Sequence, residues 1–337
     1  MKKLPEVTAD YGNLYRMLLA PIRAKLLLTA IELKVFNHLD EPTSADAIAQ
    51  TLDTHPRNTK VFLDNLTAID LVEKRAGLYH NSPQAQAFLV EDSPTYLGRI
   101  FTFMKVDDQF LQNLPTLVKE GPPPPPEQSP FSEDALAKGV TLMADIERAG
   151  YAQEAVEIVS ELPEFPSFRK MLDLGGGPGL IGMTIVDAHP TMTGVIFDLP
   201  PVVKATEAYI KEYKMEARVE TLGGDFNRSP IGEGYDLVFA CSSLQFAQDL
   251  DMVVQKVYDA LNPGGVFVSL FPFGHTHEGT KPEPIVLSLA SMAFMGMETS
   301  FDQSYVAESM RRTGFKTIRS RTFETFMGPM ELDVARK

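Results

Sequence analysis

The chain has 337 residues, 44% hydrophobic and 23% charged, with 31 Lys and Arg against 45 Asp and Glu for a formal net charge of −14. That length exceeds the size at which one core usually divides, so two domains are expected, and charge spread along the chain excludes a long disordered polymer. The acidic balance argues against nucleic acid as a partner, the single cysteine, Cys241, excludes an intramolecular disulfide and a multi-cysteine metal site, and no apolar run reaches a bilayer span, so a soluble cytoplasmic protein without a membrane partner is expected.

Residues 11–39 space their apolar side chains at helical intervals with little interruption, which predicts helices buried on more than one side and one face turned to another chain. Thr43 or Ser44 can cap a short helix, His55-Pro56 breaks it, a second helix carries Val61, Phe62, Leu66 and Leu71, and LVEKRAGLYHN closes as a hairpin around Gly77. Helix, turn, helix and hairpin in that order make a winged helix. DNA binding is one use of such a unit, but the second helix offers only Arg57 and Lys60 against Asp64, so a packing or dimerisation module is expected. Another helical stretch leads to EGPPPPPEQSPF at 120–131, whose five consecutive prolines predict an extended spacer. Residues 132–162 return to helix from a Ser132 cap.

From residue 168 strands alternate with helices, the signature of a parallel sheet covered on both faces, and FKTIRSRTFETFMGPMELDVARK adds two strands turning at Gly328-Pro329 as an antiparallel edge. The expected fold is therefore α/β, a Rossmann-like doubly wound sheet with an antiparallel C-terminal hairpin, joined to a mostly helical winged-helix domain. The boundaries read as 1–119 for the winged helix, 120–131 for the linker, 132–167 for connecting helices and 168–337 for the sheet domain.

In MLDLGGGPG a strand ends at Asp173 and runs into Gly175, Gly176, Gly177 and Gly179, where missing side chains let a ligand lie against the backbone. A glycine-rich turn alone also fits a dinucleotide. VIFDLPPVV then places Asp198 at the next strand end, where a carboxylate can accept both ribose hydroxyls, and GGDF places Asp225 and Phe226 after the third strand, suited to adenine.

On LDLGGGPG, FDLPPVV, GGDF and ALNPGG, nearly the whole chain resembles the class I S-adenosylmethionine-dependent O-methyltransferases of the caffeate and hydroxyindole type, with bacterial relatives in antibiotic and pigment pathways. The resemblance implies S-adenosylmethionine as cofactor and an intertwined homodimer built on the winged-helix domain. It puts Gly175 and Gly177 near the amino-acid part of the cofactor, Asp198 on the ribose and Asp225 near the adenine, with Asp173, Leu199, Phe226 and Cys241 completing the cofactor set. Cys241 itself reads as a small buried residue and not as a nucleophile.

One departure is informative. O-methylating members carry a histidine base after the fourth strand of the sheet and a glutamate that orients it after the fifth; the matching positions here are Gln245 and Phe271. An amide does not titrate near neutrality and cannot serve as a general base. Three accounts remain open. His275 and His277, in FPFGHTHEG, could supply a displaced base, although an ordinary solvated loop fits them as well, and no metal site is expected because Glu278 is the only further ligand nearby. The acceptor could need no base, being a thiolate, an ionised phenol, an amine or an electron-rich carbon that Gln245 only orients; this is the favoured account. Or the chain could use the bound cofactor for decarboxylation, hydroxylation or pericyclic chemistry, or bind it without turnover. Phe103, Met104, Met143, Met292 and Met295 would line a greasy pocket for a flat, small-molecule acceptor.

Overall fold

Residues 4, 6, 8–103, 108–121, 132–275, 301–325 and 328–337 are described by a computed structural model, with the side chains of 108–113, 274 and 275 excepted. Met104, His277, Met292 and Met295, all named above, lie outside the described residues, as does the proline run. The chain divides into two compact units, Met1–Lys105 and Val106–Lys337, so the helix at Asp108–Glu120, grouped by sequence with the winged helix, falls in the second.

The first unit opens with α1 (Gly12–Glu32), apolar and mostly uncovered: Leu14, Tyr15, Met17, Leu18 and Ile22 are all more than half exposed, and only Ala30 and Ile31 at its end are buried. Ser44 caps α2 (Ala45–Thr51) by accepting from the Ala47 N–H, and Pro56 opens α3 (Pro56–Ala68) where its missing N–H costs nothing. Strands β1 (Val72–Arg75) and β2 (Leu78–Asn81) pair antiparallel across Ala76 and Gly77, whose positive φ values of 51° and 82° give the tight hairpin turn. Phe36, Leu39, Ile48, Leu63, Leu66 and Tyr79 close the core of this winged helix, which continues into α4 (Pro83–Phe88) and α5 (Gly98–Phe103). Arg57 and Lys60 are exposed.

In the second unit, α6 (Asp108–Glu120) and α7 (Glu133–Ile146) precede a π-helical turn at Glu147–Tyr151, then α8 (Ala152–Ser160). Gly150 breaks the helical path there with φ 132°, a conformation that favours glycine. The sheet follows, with β3 (Lys170–Leu174), α9 (Leu180–Asp187), β4 (Thr193–Asp198), α10 (Pro200–Glu212), β5 (Val219–Gly223), β6 (Tyr235–Cys241), α11 (Leu250–Ala260) and β7 (Leu261–His275). After it come β8 (Phe301–Asp302), α12 (Tyr305–Thr313), β9 (Thr317–Thr325) and β10 (Gly328–Arg336).

The strand order is β5-β4-β3-β6-β7-β10-β9, with β8 paired to β7. Strands β3 to β7 run parallel, whereas β10 is antiparallel to both β7 and β9, the edge expected from sequence. Central strands buried on both faces explain the continuous apolar runs: Met171, Leu172 and Leu174 on β3 and Leu237, Val238, Phe239 and Ala240 on β6 are each 1% exposed or less. The chain leaves β3 toward β4 on one side and later returns to β6 on the other. Their carboxyl ends thus flank a topological switch point, the usual ligand position in an open α/β sheet.

Candidate active site

At that switch point the turn after β3 and the turn after β6 are locked together. Ser243 donates its hydroxyl to the Leu174 carbonyl at 2.6 Å, and a Cβ on Gly175 would meet the Ser243 Cβ at 2.4 Å, so glycine is required there by contact as well as by φ 73°. Gly177 also has positive φ, 54°, but none of the described residues fills the space its Cβ would take. The first glycine is fixed by packing, while the second leaves room for a ligand against bare backbone.

Asp198 closes the next strand end with both oxygens engaged: Oδ2 accepts from the Gly177 N–H at 2.8 Å and Oδ1 from the Leu199 N–H at 2.7 Å. Each oxygen retains lone-pair capacity for a ligand hydroxyl. Burial raises the pKa of this carboxyl, opposed by those two backbone bonds. Thr206 on α10 donates to the Gly177 carbonyl at 2.7 Å, so the turn is held from below on both its N–H and its C=O. Asp173 is 2% exposed, and its Oδ2 accepts from the Gly182 N–H at 3.1 Å; what it holds directly is the start of α9. Burial pushes it up to about 7, against the Gly182 bond and with the Asp198 charge adding to the rise.

After β5, Asp225 is half-buried and its Oδ1 accepts from both the backbone and the side-chain amide of Asn227, at 2.9 and 3.0 Å. The same Asn227 amide donates to the Phe246 carbonyl at 3.2 Å, and its oxygen accepts from the Gln248 N–H at 2.8 Å. Phe226 packs on the sheet core, with its carbonyl capped by Lys256 at 2.8 Å. Asn227 therefore ties the Asp225 turn to the turn after β6.

That last turn carries Gln245. Ser242, at its start, adopts φ 49°, a left-handed conformation that costs a non-glycine residue of order 1 kcal/mol. The Gln245 side-chain nitrogen donates to the Ser242 carbonyl at 2.5 Å, and its Oε1 is buried with no hydrogen-bond partner among the described residues. The amide orientation is decided by this contact, since the reversed amide would set oxygen against oxygen. Cys241, at the end of β6, donates its thiol to the Tyr151 hydroxyl at 3.2 Å, which in turn meets the Met330 sulfur at 3.0 Å. Burial pushes the thiol up to about 12, as befits a packing residue.

Of the remaining sequence candidates, His275 ends β7 opposite Asp302, Phe103 lies on α5 in the first unit and Met143 on α7 in the second, 57% and 42% exposed. Phe271 is buried at 1% and faces Glu331 across the β7–β10 pairing. That glutamate is engaged elsewhere, accepting from the Ser304 N–H at 2.6 Å where α12 begins. Sequence reasoning missed Glu147, Thr206, Ser243 and Asn227. Only Asn227 carried a signal, lying two residues after Asp225 as in an Asx turn.

A family model of the O-methyltransferase domain matches residues 142–316, and one of the O-methyltransferase dimerisation domain matches residues 15–91. The chain is 30% identical over 330 residues to the N,N-dimethyltransferase OxyT of Streptomyces rimosus, covering 95% of each chain. It is 26% identical over 266 residues to the tetracenomycin polyketide synthesis 8-O-methyl transferase TcmO of Streptomyces glaucescens, covering 75% of this chain and 76% of that one. Among solved structures, human N-acetylserotonin methyltransferase in complex with SAM superposes with a TM-score of 0.76 at 21% identity, covering 99% of each chain.

Proposed function

Because the chain belongs to the S-adenosylmethionine-dependent O-methyltransferase family, we propose that it methylates a small aromatic or otherwise apolar acceptor by alignment and desolvation, without a side-chain base. It is a methyltransferase, and its cofactor is S-adenosylmethionine. The residues at the switch point suit that cofactor: open space beside Gly177, spare acceptor capacity on Asp198, and the Asp225–Phe226 turn beyond it. In this reading Gly175, Gly177 and Leu199 receive the amino-acid end and the ribose edge, Asp198 the ribose hydroxyls, and Asp225 and Phe226 the adenine. When bound, the cofactor supplies an electrophilic methyl group on a positively charged sulfur.

The observation that carries the base-free reading is Gln245, whose nitrogen is committed to Ser242 and whose buried Oε1 is an acceptor without a partner among the described residues. An acceptor atom there calls for a nucleophile that brings its own proton, which disfavours a thiolate, a phenolate or a bare carbon. A neutral aromatic amine meets both demands: it can donate N–H to Oε1 and attack with its lone pair, whereas a neutral hydroxyl must first shed its proton. The proton an amine carries after alkylation is lost to water, so no residue has to hold it. OxyT, by its name an N,N-dimethyltransferase, and TcmO, which acts on a polyketide, support an amine or hydroxyl on an aromatic framework as the acceptor class.

A homodimer through the N-terminal unit in the cytosol completes the reading, supported by the exposed apolar face of α1 and by the matched dimerisation domain. The test is a product screen: purified protein, cofactor, and matched aromatic amines, phenols and thiols, followed by mass detection of S-adenosylhomocysteine and of methylated product. Amine turnover is expected. Turnover of phenols alone, abolished when His275 and His277 are both replaced, would instead establish a displaced base, and cofactor binding with no S-adenosylhomocysteine formed would move the chain to non-methylating chemistry.

A further inference from the structure

The first turn of an α-helix carries N–H groups with no intrahelical partner, and a helix that follows a glycine-rich strand end is where nucleotide folds commonly hold phosphate. In this chain two of those donors are taken by the protein itself. Glu147 Oε2 accepts from the Ile181 N–H at 3.1 Å, and Asp173 Oδ2 accepts from the Gly182 N–H at 3.1 Å. The second and third residues of α9 are thus satisfied by two carboxyls from different elements. Both are buried, at 7% and 2% exposure, and a Cβ on Gly182 would meet Asp173 Oδ2 at 2.8 Å, so no space is left between acid and helix.

Glu147 reaches this position from the π-helical turn between α7 and α8, outside every strand-end motif. Its neighbour Arg148 faces another way: its Nε donates to the Tyr213 hydroxyl at 2.8 Å, its terminal nitrogen meets Glu212 at 3.3 Å, and the guanidinium lies 5.1 Å over the Tyr209 ring. Two consecutive residues therefore grip α9 and α10, the helices that leave the Gly175–Gly179 turn and the Asp198 strand end. A phosphate arriving at α9 would find the Ile181 and Gly182 N–H groups already taken by two acidic groups.

We propose that Glu147 is a specificity-determining positioning residue: with Asp173 it fills the N-terminal donors of α9, shapes the glycine turn for an adenosyl ligand without phosphate, and excludes nucleoside diphosphates and dinucleotides. The inference rests on the reading that the cofactor binds at this turn. Removing the acid frees donors that the helix dipole makes attractive to anions.

The experiment compares adenosine, ADP and S-adenosylhomocysteine by calorimetry on the full chain and on Glu147→Ala, Glu147→Gln and Asp198→Ala. The ratio of ADP to adenosine affinity reads the phosphate alone, so a general loosening of the fold does not move it. The wild-type protein should bind ADP no more tightly than adenosine. Glu147→Ala should raise the ratio at least tenfold while weakening S-adenosylhomocysteine about tenfold, and Glu147→Gln, which keeps an acceptor for Ile181, should restore that affinity to within about threefold. If Glu147→Ala does not fold, Glu147→Leu decides, because it too removes both acceptor oxygens from the start of α9 and should raise the ratio several-fold. An unchanged ratio in the folded variants, or a wild-type protein that prefers ADP over adenosine, overturns the proposal. Asp198→Ala separates the two readings: retention of S-adenosylhomocysteine affinity there removes the cofactor site itself, whatever Glu147 does.

Discussion

Asp198→Asn should be far from conservative. Both carboxylate oxygens accept backbone N–H groups, from Gly177 at 2.8 Å and Leu199 at 2.7 Å. An asparagine has one oxygen, so its NH2 must face one of those donors, and the ligand hydroxyl that shared that oxygen loses its acceptor too. The loss of one hydrogen bond to a charged group is worth ~1.5–3 kcal/mol, a weakening of roughly tenfold to 150-fold. Asp198→Ala should cost more, because the Gly177 turn also loses its tie. Acidification should mimic the substitution. Burial raises the Asp198 pKa, so acceptor capacity is full above the raised value and falls as the pH drops through it. Calorimetric titration with S-adenosylhomocysteine across pH checks both statements: wild-type affinity should decline toward acid, and the asparagine variant should start lower and vary less. An asparagine variant with wild-type affinity and wild-type pH dependence would refute the assignment of Asp198 to the ribose.

Gln245→Ala should lower turnover only by the ~0.5–1.5 kcal/mol of a neutral hydrogen bond, and the pH–rate profile should follow the acceptor's own ionisation; a loss of more than about a hundredfold on replacing His275 and His277 together, with cofactor binding intact, would reverse this. Leu18→Asp or Ile22→Asp, each placing a charge on the uncovered face of α1, should shift the protein from dimer to monomer in light scattering. Asp333 is fully buried between Ser269 and Ser320 across β7, β10 and β9, and burial pushes it up to about 7, the Ser320 bond opposing and Glu331 adding to the rise. Its folded pKa exceeds the unfolded value of ~3.9, so the stability it contributes is present below that value and is lost as pH rises through about 7. Asp333→Asn should therefore flatten the decline in melting temperature between about pH 4 and pH 7, leaving the share due to Asp173, which burial also raises to about 7.

The parts legible in the sequence are those whose spacing is set by the strand period. Asp173, Gly175, Asp198, Asp225 and Gln245 each follow an apolar run, and the structure brings all of them to one edge of the sheet because a parallel sheet aligns its carboxyl ends. Glu147 had no such marker. It lies on a helix, where a glutamate reads as solvated, and its role depends on a π-turn at Gly150 that apolar periodicity does not reveal. Ser243 and Thr206 were hidden for a related reason: each acts on a backbone carbonyl far away in sequence, Leu174 and Gly177. Phe271 illustrates the reverse case. Its position suggested a missing acid, and an acid does lie opposite on β10, but Glu331 is occupied by the backbone of Ser304.

The thiol of Cys241 gives this protein a built-in gauge of its own breathing. It is the only sulfhydryl in the chain, it hangs from the end of β6 against the Tyr151 hydroxyl, and burial pushes it up to about 12. In the closed state the half-buried thiol is held in its neutral form near pH 8, so alkylation proceeds mainly through openings that restore an ordinary cysteine. The labelling rate then measures how often the sheet parts beside the glycine turn, without any added probe. Slower labelling in the presence of S-adenosylhomocysteine would put a free energy on how firmly the ligand latches that corner.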